Sequence, residues 1–334
     1  MADVATLAGV SHQTVSRVLG NHPNVREATR LTVLRAIEEL GYRRNSSARA
    51  LATRRTRTVG VVASDTTLFG PASTLFGLEE AARAEGYTVS TVSLRRLDGA
   101  TLSGALEHLS DGGVEGVVVI APHRPAVSAL AELRYPFPVV TVEGGHDLDI
   151  PCVSVDQHLG ARLATDHLLA AGHRTVWHVA GPEDWLEAGA RTAGWRAALE
   201  AAGAAVPPML TGDWSPLSGY RAGQELAGRA GRGMTAVFVS NDQMALGVLR
   251  AFREAGVRVP GDVALVGFDD IPESEFFAPP LTTVRQDFMA VGKRSIGLLT
   301  DRIEGRDPAD GSGAARIVIE PQLIVRSSSS PSSL

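Results

Sequence analysis

From residue 58 onward, short apolar runs alternate with stretches of helical period. The apolar runs cover 59–63, 88–92, 117–120, 139–142, 176–180, 236–239 and 263–266. Helical spacing fills 75–85, 159–171, 192–202, 218–229 and 243–255, and Gly86, Gly172, Gly203 and Gly256 close four of these. Strand and helix in alternation predict parallel sheets covered on both faces, and two such series predict two subdomains. The first sixty residues read differently. Helices are expected at 3–8, 12–19 and 26–40, with Gly9-Val10-Ser11 as a tight turn and Ser11 as an N-cap. In the second, Val15, Val18 and Leu19 face inward and leave His12, Gln13, Ser16 and Arg17 outside. In the third, Val33, Ala36, Ile37 and Leu40 share one face.

Charge separates the same two regions. Residues 1–58 carry ten Arg against four acids, a net +6. The chain as a whole carries −5, so the remainder carries −11. A basic head on an acidic body points to a polyanion at the head alone. Gln13 and Arg17 suit bidentate hydrogen bonds to adenine and guanine edges, and a basic segment, 43–57, follows. The competing reading is a plain three-helix bundle that binds nothing.

The single cysteine, Cys152, allows no intrachain disulfide, no apolar run is long enough to span a bilayer, and the N-terminus shows no signal segment. These place the expected protein in the cytoplasm. No phosphate-cradling glycine loop, nucleophile elbow or His-Glu-x-x-His motif occurs. Accordingly no catalytic residue, metal site or cofactor is expected, and His173 and His178 read as surface residues.

Asp3-Val4-Ala5, Ala8-Gly9-Val10-Ser11, Thr14 to Leu19, and Gly41-Tyr42 with Asn45 resemble the head of the lactose/galactose-repressor family of bacterial transcription regulators. The similarity extends along nearly the whole chain and is nearest the lactose-repressor branch. It implies an all-α helix-turn-helix head at 1–44, a hinge helix and linker at 45–57, and an α/β periplasmic-binding-protein-like core at 58–326. The core is expected to divide into an N-subdomain, 58–155 and 288–316, and a C-subdomain, 156–287 and 317–326, with a disordered tail at 327–334. The family's contacts to double-stranded operator DNA map onto His12, Gln13, Ser16, Arg17, Asn45, Ala48 and Leu51. Leu51 matches the family's minor-groove wedge, on a hinge too short to be helical alone. Two departures stand out: only Met1-Ala2 precede Asp3, and Arg44 stands where the family prefers proline.

A sugar site needs planar hydrogen-bonding groups and an aromatic face, and ligands of such folds sit at strand carboxyl ends. The resemblance maps the effector contacts onto Arg191, Trp214, Asn241, Asp269, Gln286 and Phe288. From the N-subdomain it adds Ser64, Leu68, Pro71, Arg96 and Glu143. Arg191 is expected in a loop that opens a helix. Ile120 stands where the lactose-repressor branch carries asparagine, so the sugar, a galactoside or another disaccharide, need not be the same. Read without the resemblance, Arg191 and Asp269 also fit a ligand-free buried pair, and Trp214 a core anchor.

The expected protein is thus a homodimeric repressor released from its operator by a sugar. The alternatives are a regulator tightened on DNA by a purine-type corepressor, or a sugar-binding transport protein. The fold suits all of these, but a transport protein needs a secretory signal and has no use for a helix-turn-helix.

Overall fold

The computed structural model describes residues 1–20, 22–42, 55–95, 97–144, 148–306 and 315–329. The chain forms two compact units, Met1–Thr56 and Arg57–Leu334. In the first, α1 (Ala2–Ala8) ends at Gly9 with a left-handed φ of 64°, which lets the chain turn sharply into α2 (His12–Leu19). The Ser11 hydroxyl accepts the Thr14 backbone N–H at 3.2 Å and caps α2. Met1, by contrast, gives α1 no side-chain cap. Val4, Ala5, Val15, Val18, Val33 and Ala36, the last two from α3 (Glu27–Glu39), make one small core. Leu40, expected on the inner face of the third helix, is exposed. It lies just past the helical residues, in the turn that leads to Gly41.

The second unit holds two parallel sheets. In the larger, β1 (Thr58–Ser64), β2 (Thr88–Leu94), β3 (Val117–Ile120), β4 (Val139–Val142), β5 (Cys152–Val155) and β11 (Arg316–Ile319) lie in the order β11-β5-β4-β3-β1-β2. Val59, Val61, Val118 and Val140 pack on one face against Leu78 of α4 (Phe69–Ala84) and Leu299 of α11 (Phe288–Ile303). Val62, Val117 and Val119 pack on the other against Leu102 and Leu109 of α5 (Gly99–Asp111) and Leu130 of α6 (Arg124–Glu132). Burial on both faces is why β3 and β4 read as unbroken apolar runs.

The smaller sheet has the order β7-β6-β8-β9, from β6 (Trp177–Ala180), β7 (Leu210–Thr211), β8 (Ala236–Val239) and β9 (Ala264–Val266). Helices α7 (Gln157–Ala170) and α8 (Leu186–Ala201) cover one face through Leu168, Trp195 and Leu199. Helices α9 (Pro216–Ala227) and α10 (Asp242–Glu254) cover the other through Leu226, Val248 and Phe252. Gly247 lets α9 and α10 meet backbone to backbone, since a Cβ there would lie 2.0 Å from the Pro216 carbonyl oxygen. A short antiparallel pair, β10 (Thr283–Arg285) with β12 (Gln322–Ile324), lies beside β9 through bridges at Thr282 and Arg285.

The chain therefore passes between the two sheets after β5, after β10 and after β11. One boundary moves. β11 pairs in register with β5 from Arg316↔Cys152 to Ile319↔Val155, so 317–319 belong to the N-subdomain sheet and not to the C-subdomain. The tail expected to be disordered from 327 is ordered at its start. Ser328 donates to the Leu265 carbonyl at 2.6 Å and accepts from the Thr282 N–H at 2.8 Å, and Ser329 meets the hydroxyl of Thr282 at 2.7 Å. The Ser328 hydroxyl satisfies backbone groups of and beside β9, which the serine-rich composition did not reveal. Arg57, counted in the basic linker segment, is anchored on the core. Its N–H donates to Glu115 at 2.7 Å and its guanidinium lies 5.0 Å from the Tyr87 ring centre.

His178 is a further correction. It is fully buried, with Nδ1 3.0 Å from the Phe238 carbonyl and the ring stacked on Trp195 and Phe238. Burial pushes its pKa down to about 4. Among the described residues, no helix is long and apolar enough to cross a membrane.

Candidate functional site

On the head, His12, Gln13, Ser16 and Arg17 are all exposed, while Val15 and Val18 between them are buried. The helical period thus puts four polar side chains on the outer face of α2, where a groove of DNA has access to them. Asn45, Ala48 and Leu51 lie outside the described residues, as does Arg96.

In the core, a cavity lies at the carboxyl ends of both sheets. It holds about 530 Å³ of space unfilled by atoms, its open mouth included. Its walls include Leu68, Pro71, Glu143, Arg191, Trp214, Asn241, Asp269, Gln286 and Phe288, all expected from sequence. Ile120, whose departure from the lactose-repressor branch bears on ligand choice, also lines it. Ser64 does not. It ends β1 fully buried, and its hydroxyl has no partner among the described residues.

The polar floor is a chain of hydrogen bonds. Arg191 Nε donates to Gln157 Oε1 at 2.8 Å, and Gln157 Nε2 donates to Gln286 Oε1 at 2.8 Å. Gln286 Nε2 donates in turn to Asp269 Oδ1 at 2.7 Å, and that oxygen lies 3.5 Å from the Arg191 guanidinium. Arg191 also donates to the Ser240 carbonyl. Burial pushes the Asp269 carboxyl up to about 6, although Arg191 and the Gln286 amide both favour its charged form. The buried Arg191–Asp269 pair expected from sequence is therefore present, and it faces the cavity. Arg191 sits inside α8 and not in a preceding loop, because that helix begins at Leu186, six residues before the sequence period made it visible.

Asn241 caps α10. Its Oδ1 accepts from the Met244 N–H at 2.9 Å, and its Nδ2 donates to the Trp214 carbonyl at 3.2 Å. Trp214 is both core anchor and cavity wall. Its ring meets Trp185 edge-on at 5.4 Å, and the Arg191 guanidinium lies 5.6 Å from its centre. Its indole N–H has no partner among the described residues. Gly181 makes room for that ring, since a Cβ there would lie 2.2 Å from it.

Three wall residues hold positive φ without being glycine: Glu143 at 68°, Trp214 at 70° and Asp269 at 107°. Such backbone costs about 1–3 kcal/mol per residue and persists where the surroundings impose it, often at ligand sites. Here it turns the side chains that follow β4, β7 and β9 toward one space.

Sequence reasoning missed Gln157, Trp185, Glu187 and Gln243, which also line the cavity. A signal existed for Glu187, which stands four residues before Arg191 and so shares its helix face.

Residues 1–45 match the model for bacterial regulatory proteins of the lacI family, and residues 165–329 match a periplasmic binding protein-like domain. The HTH-type transcriptional regulator CelR of Thermobifida fusca is 39% identical, covering 97% of this chain and 96% of its own length. The solved structure of the lac repressor dimer bound to operator and an anti-inducer superposes with a TM-score of 0.85. It is 31% identical and covers 98% of each chain. A CelR–cellobiose complex superposes with a TM-score of 0.73 at 36% identity, again covering 98% of each chain. A helix-turn-helix joined to a two-subdomain core, matched end to end by transcription regulators, makes this chain a member of the lacI family of bacterial regulatory proteins, which are DNA-binding regulators and not enzymes.

Proposed function

We propose that this protein is a cytoplasmic repressor that binds operator DNA as a homodimer and is released from it by a sugar held in the core cavity. The observation that carries the sugar reading is the floor of the cavity. Arg191, Asp269, Gln286 and Asn241 supply donors and acceptors in fixed directions beside the Trp214 ring, which suits hydroxyl pairs over an apolar sugar face. The cellobiose complex of CelR supports the same class of ligand.

Groups from both subdomains line the space, Leu68 and Glu143 on one side, Arg191 and Asp269 on the other. A ligand that touches both favours one relative orientation of the two. Exposed Phe76 and Met289 share a groove beside Phe288, and such apolar surface supports a second copy of the chain as its cover.

Retardation of operator fragments with and without cellobiose, lactose and ribose tests the proposal. The expected result is release by one of them. Tightening of the complex would indicate the corepressor sense, and no response to any sugar would overturn the sugar reading.

A further inference from the structure

We propose that Glu187 is a specificity-determining residue of the cavity, forming with Glu143 a carboxyl pair that accepts a hydroxyl of a neutral sugar and excludes anionic ones. This inference rests on the sugar reading above. The two carboxyls come from opposite subdomains, Glu143 from the end of β4 and Glu187 from the first turn of α8. Both line the cavity described above, and both line a neighbouring opening of about 820 Å³, its open mouth included, that also borders Ser154, His158 and Val318. They therefore stand at the boundary between two spaces, each residue partly exposed.

Their hydrogen bonding differs. Glu143 Oε1 accepts from the Val155 N–H at 3.1 Å, and its Oε2 has the Gln157 amide at 3.5 Å. Glu187 Oε2 is sealed from solvent and has no partner among the described residues. A buried acceptor left unmade carries a desolvation cost, and native proteins keep few of them. The charged groups that bear on Glu187 are Glu143, Asp269 and Arg191. The one cation among them, Arg191, is already held by Gln157, Ser240 and Asp269. The Glu187 backbone N–H also bears on its carboxyl, but among the described residues nothing donates to Oε2, which leaves that oxygen to a ligand.

Burial, with Glu143 close by, pushes Glu187 up to about 8, and burial pushes Glu143 up to about 7. Near neutral pH the pair thus retains a proton and can both donate and accept. A hydroxyl does the same and matches it. A carboxylate or phosphate adds like charge beside two acids and is disfavoured.

The test is calorimetric titration of the full chain with cellobiose, lactose, ribose, glucuronate and glucose 6-phosphate. It is run for the wild type, Glu187→Gln and Glu187→Ala, with ligand-free melting temperatures alongside. The wild type should bind a neutral sugar and reject the two anions. Glu187→Ala should weaken the neutral sugar by about tenfold, the loss of one buried hydrogen bond. It should also narrow the gap to glucuronate, and Glu187→Gln should fall between. Ligand-free melting temperatures should hold or rise, because an unpartnered acid has been removed. Unchanged affinity and selectivity in both variants would overturn the role of Glu187 alone. So would a lower ligand-free melting temperature with binding intact. A wild type that binds none of the neutral sugars would overturn the sugar reading and this inference with it.

Discussion

The Gln157 side-chain amide donates to the side-chain carbonyl of Gln286 at 2.8 Å, and this bond ties together two of the three segments by which the chain passes between subdomains. Gln157 opens α7 just after β5, and Gln286 lies between β10 and α11. Gln286 also donates to Asp269 in the cavity wall. One buried amide therefore joins the cavity wall to the crossover, and under the proposed function a ligand that moves Asp269 would pull on that crossover.

Gln286→Ala removes both bonds and leaves Gln157 and Asp269 each short of a partner. The expected cost is about 1–3 kcal/mol in denaturant unfolding of the ligand-free protein, together with weaker sugar binding. Unchanged unfolding and unchanged affinity would show that the amide is not part of the coupling.

Stability of the ligand-free protein should fall as pH rises from about 6.5 to 8. Glu187 and Glu143 have folded-state pKa values of about 8 and about 7, above the ordinary 4.5. The folded state binds their protons more tightly, so their stabilising contribution is full below 4.5 and is lost as pH rises through 7 to 8. His178 works in the other direction. Its folded value of about 4 lies below 6.5, so its contribution is complete above 6.5 and is lost as pH falls toward 4. Above 6.5 the carboxyls are thus unopposed by His178. Thermal denaturation across this range should slope downward in the wild type and flatten in Glu187→Gln; a flat wild-type profile would count against the buried acids.

Much of this architecture was legible because physics repeats it locally. The runs at 117–120, 139–142 and 236–239 coincide with strands, since burial on both faces leaves no polar position to blur them. The expected boundary at 316/317 cuts through β11 for the converse reason. Its residues alternate between exposed and half-buried, and its partner is set by register with β5, a long-range fact. Asp269 and Asn241 follow recognisable strands and could be placed, whereas Arg191 was misplaced because Leu186–Ala201 opens with Glu, Gly and Ala, which give little apolar period. With that helix start hidden, the Glu187–Arg191 face was hidden too. Gln157 was missed because its importance lies in reaching Gln286, 129 residues away.

Gly181→Ala tests how tightly the Trp214 ring is held. The added methyl meets the ring at 2.2 Å, inside any permitted contact. Overpacking of this kind costs about 1–3 kcal/mol. Tryptophan fluorescence should shift and sugar affinity should drop, while DNA binding without ligand persists. Unaltered fluorescence and affinity would mean that the ring yields freely and does not shape the site.

Arg17→Ala should lower affinity for the preferred operator by about 1–3 kcal/mol and relax selection at one symmetric pair of base positions. Binding-site selection on randomised operators measures this. An equal loss on every sequence would assign Arg17 to the phosphate backbone.

Under the proposed function, a ligand at the cavity floor controls a DNA contact made by a separate unit of the chain. Asp269→Ala tests it most directly, because the change touches the cavity floor and leaves the head intact. Operator affinity is measured for wild type and variant, each with and without the sugar that releases the wild type. Coupling of this kind is typically worth about 1–3 kcal/mol, or roughly 5- to 150-fold in affinity. The variant should bind operator as the wild type does without sugar and show no release when sugar is added. An Asp269→Ala protein that still leaves the operator at the wild-type sugar concentration would show that release does not pass through the cavity floor.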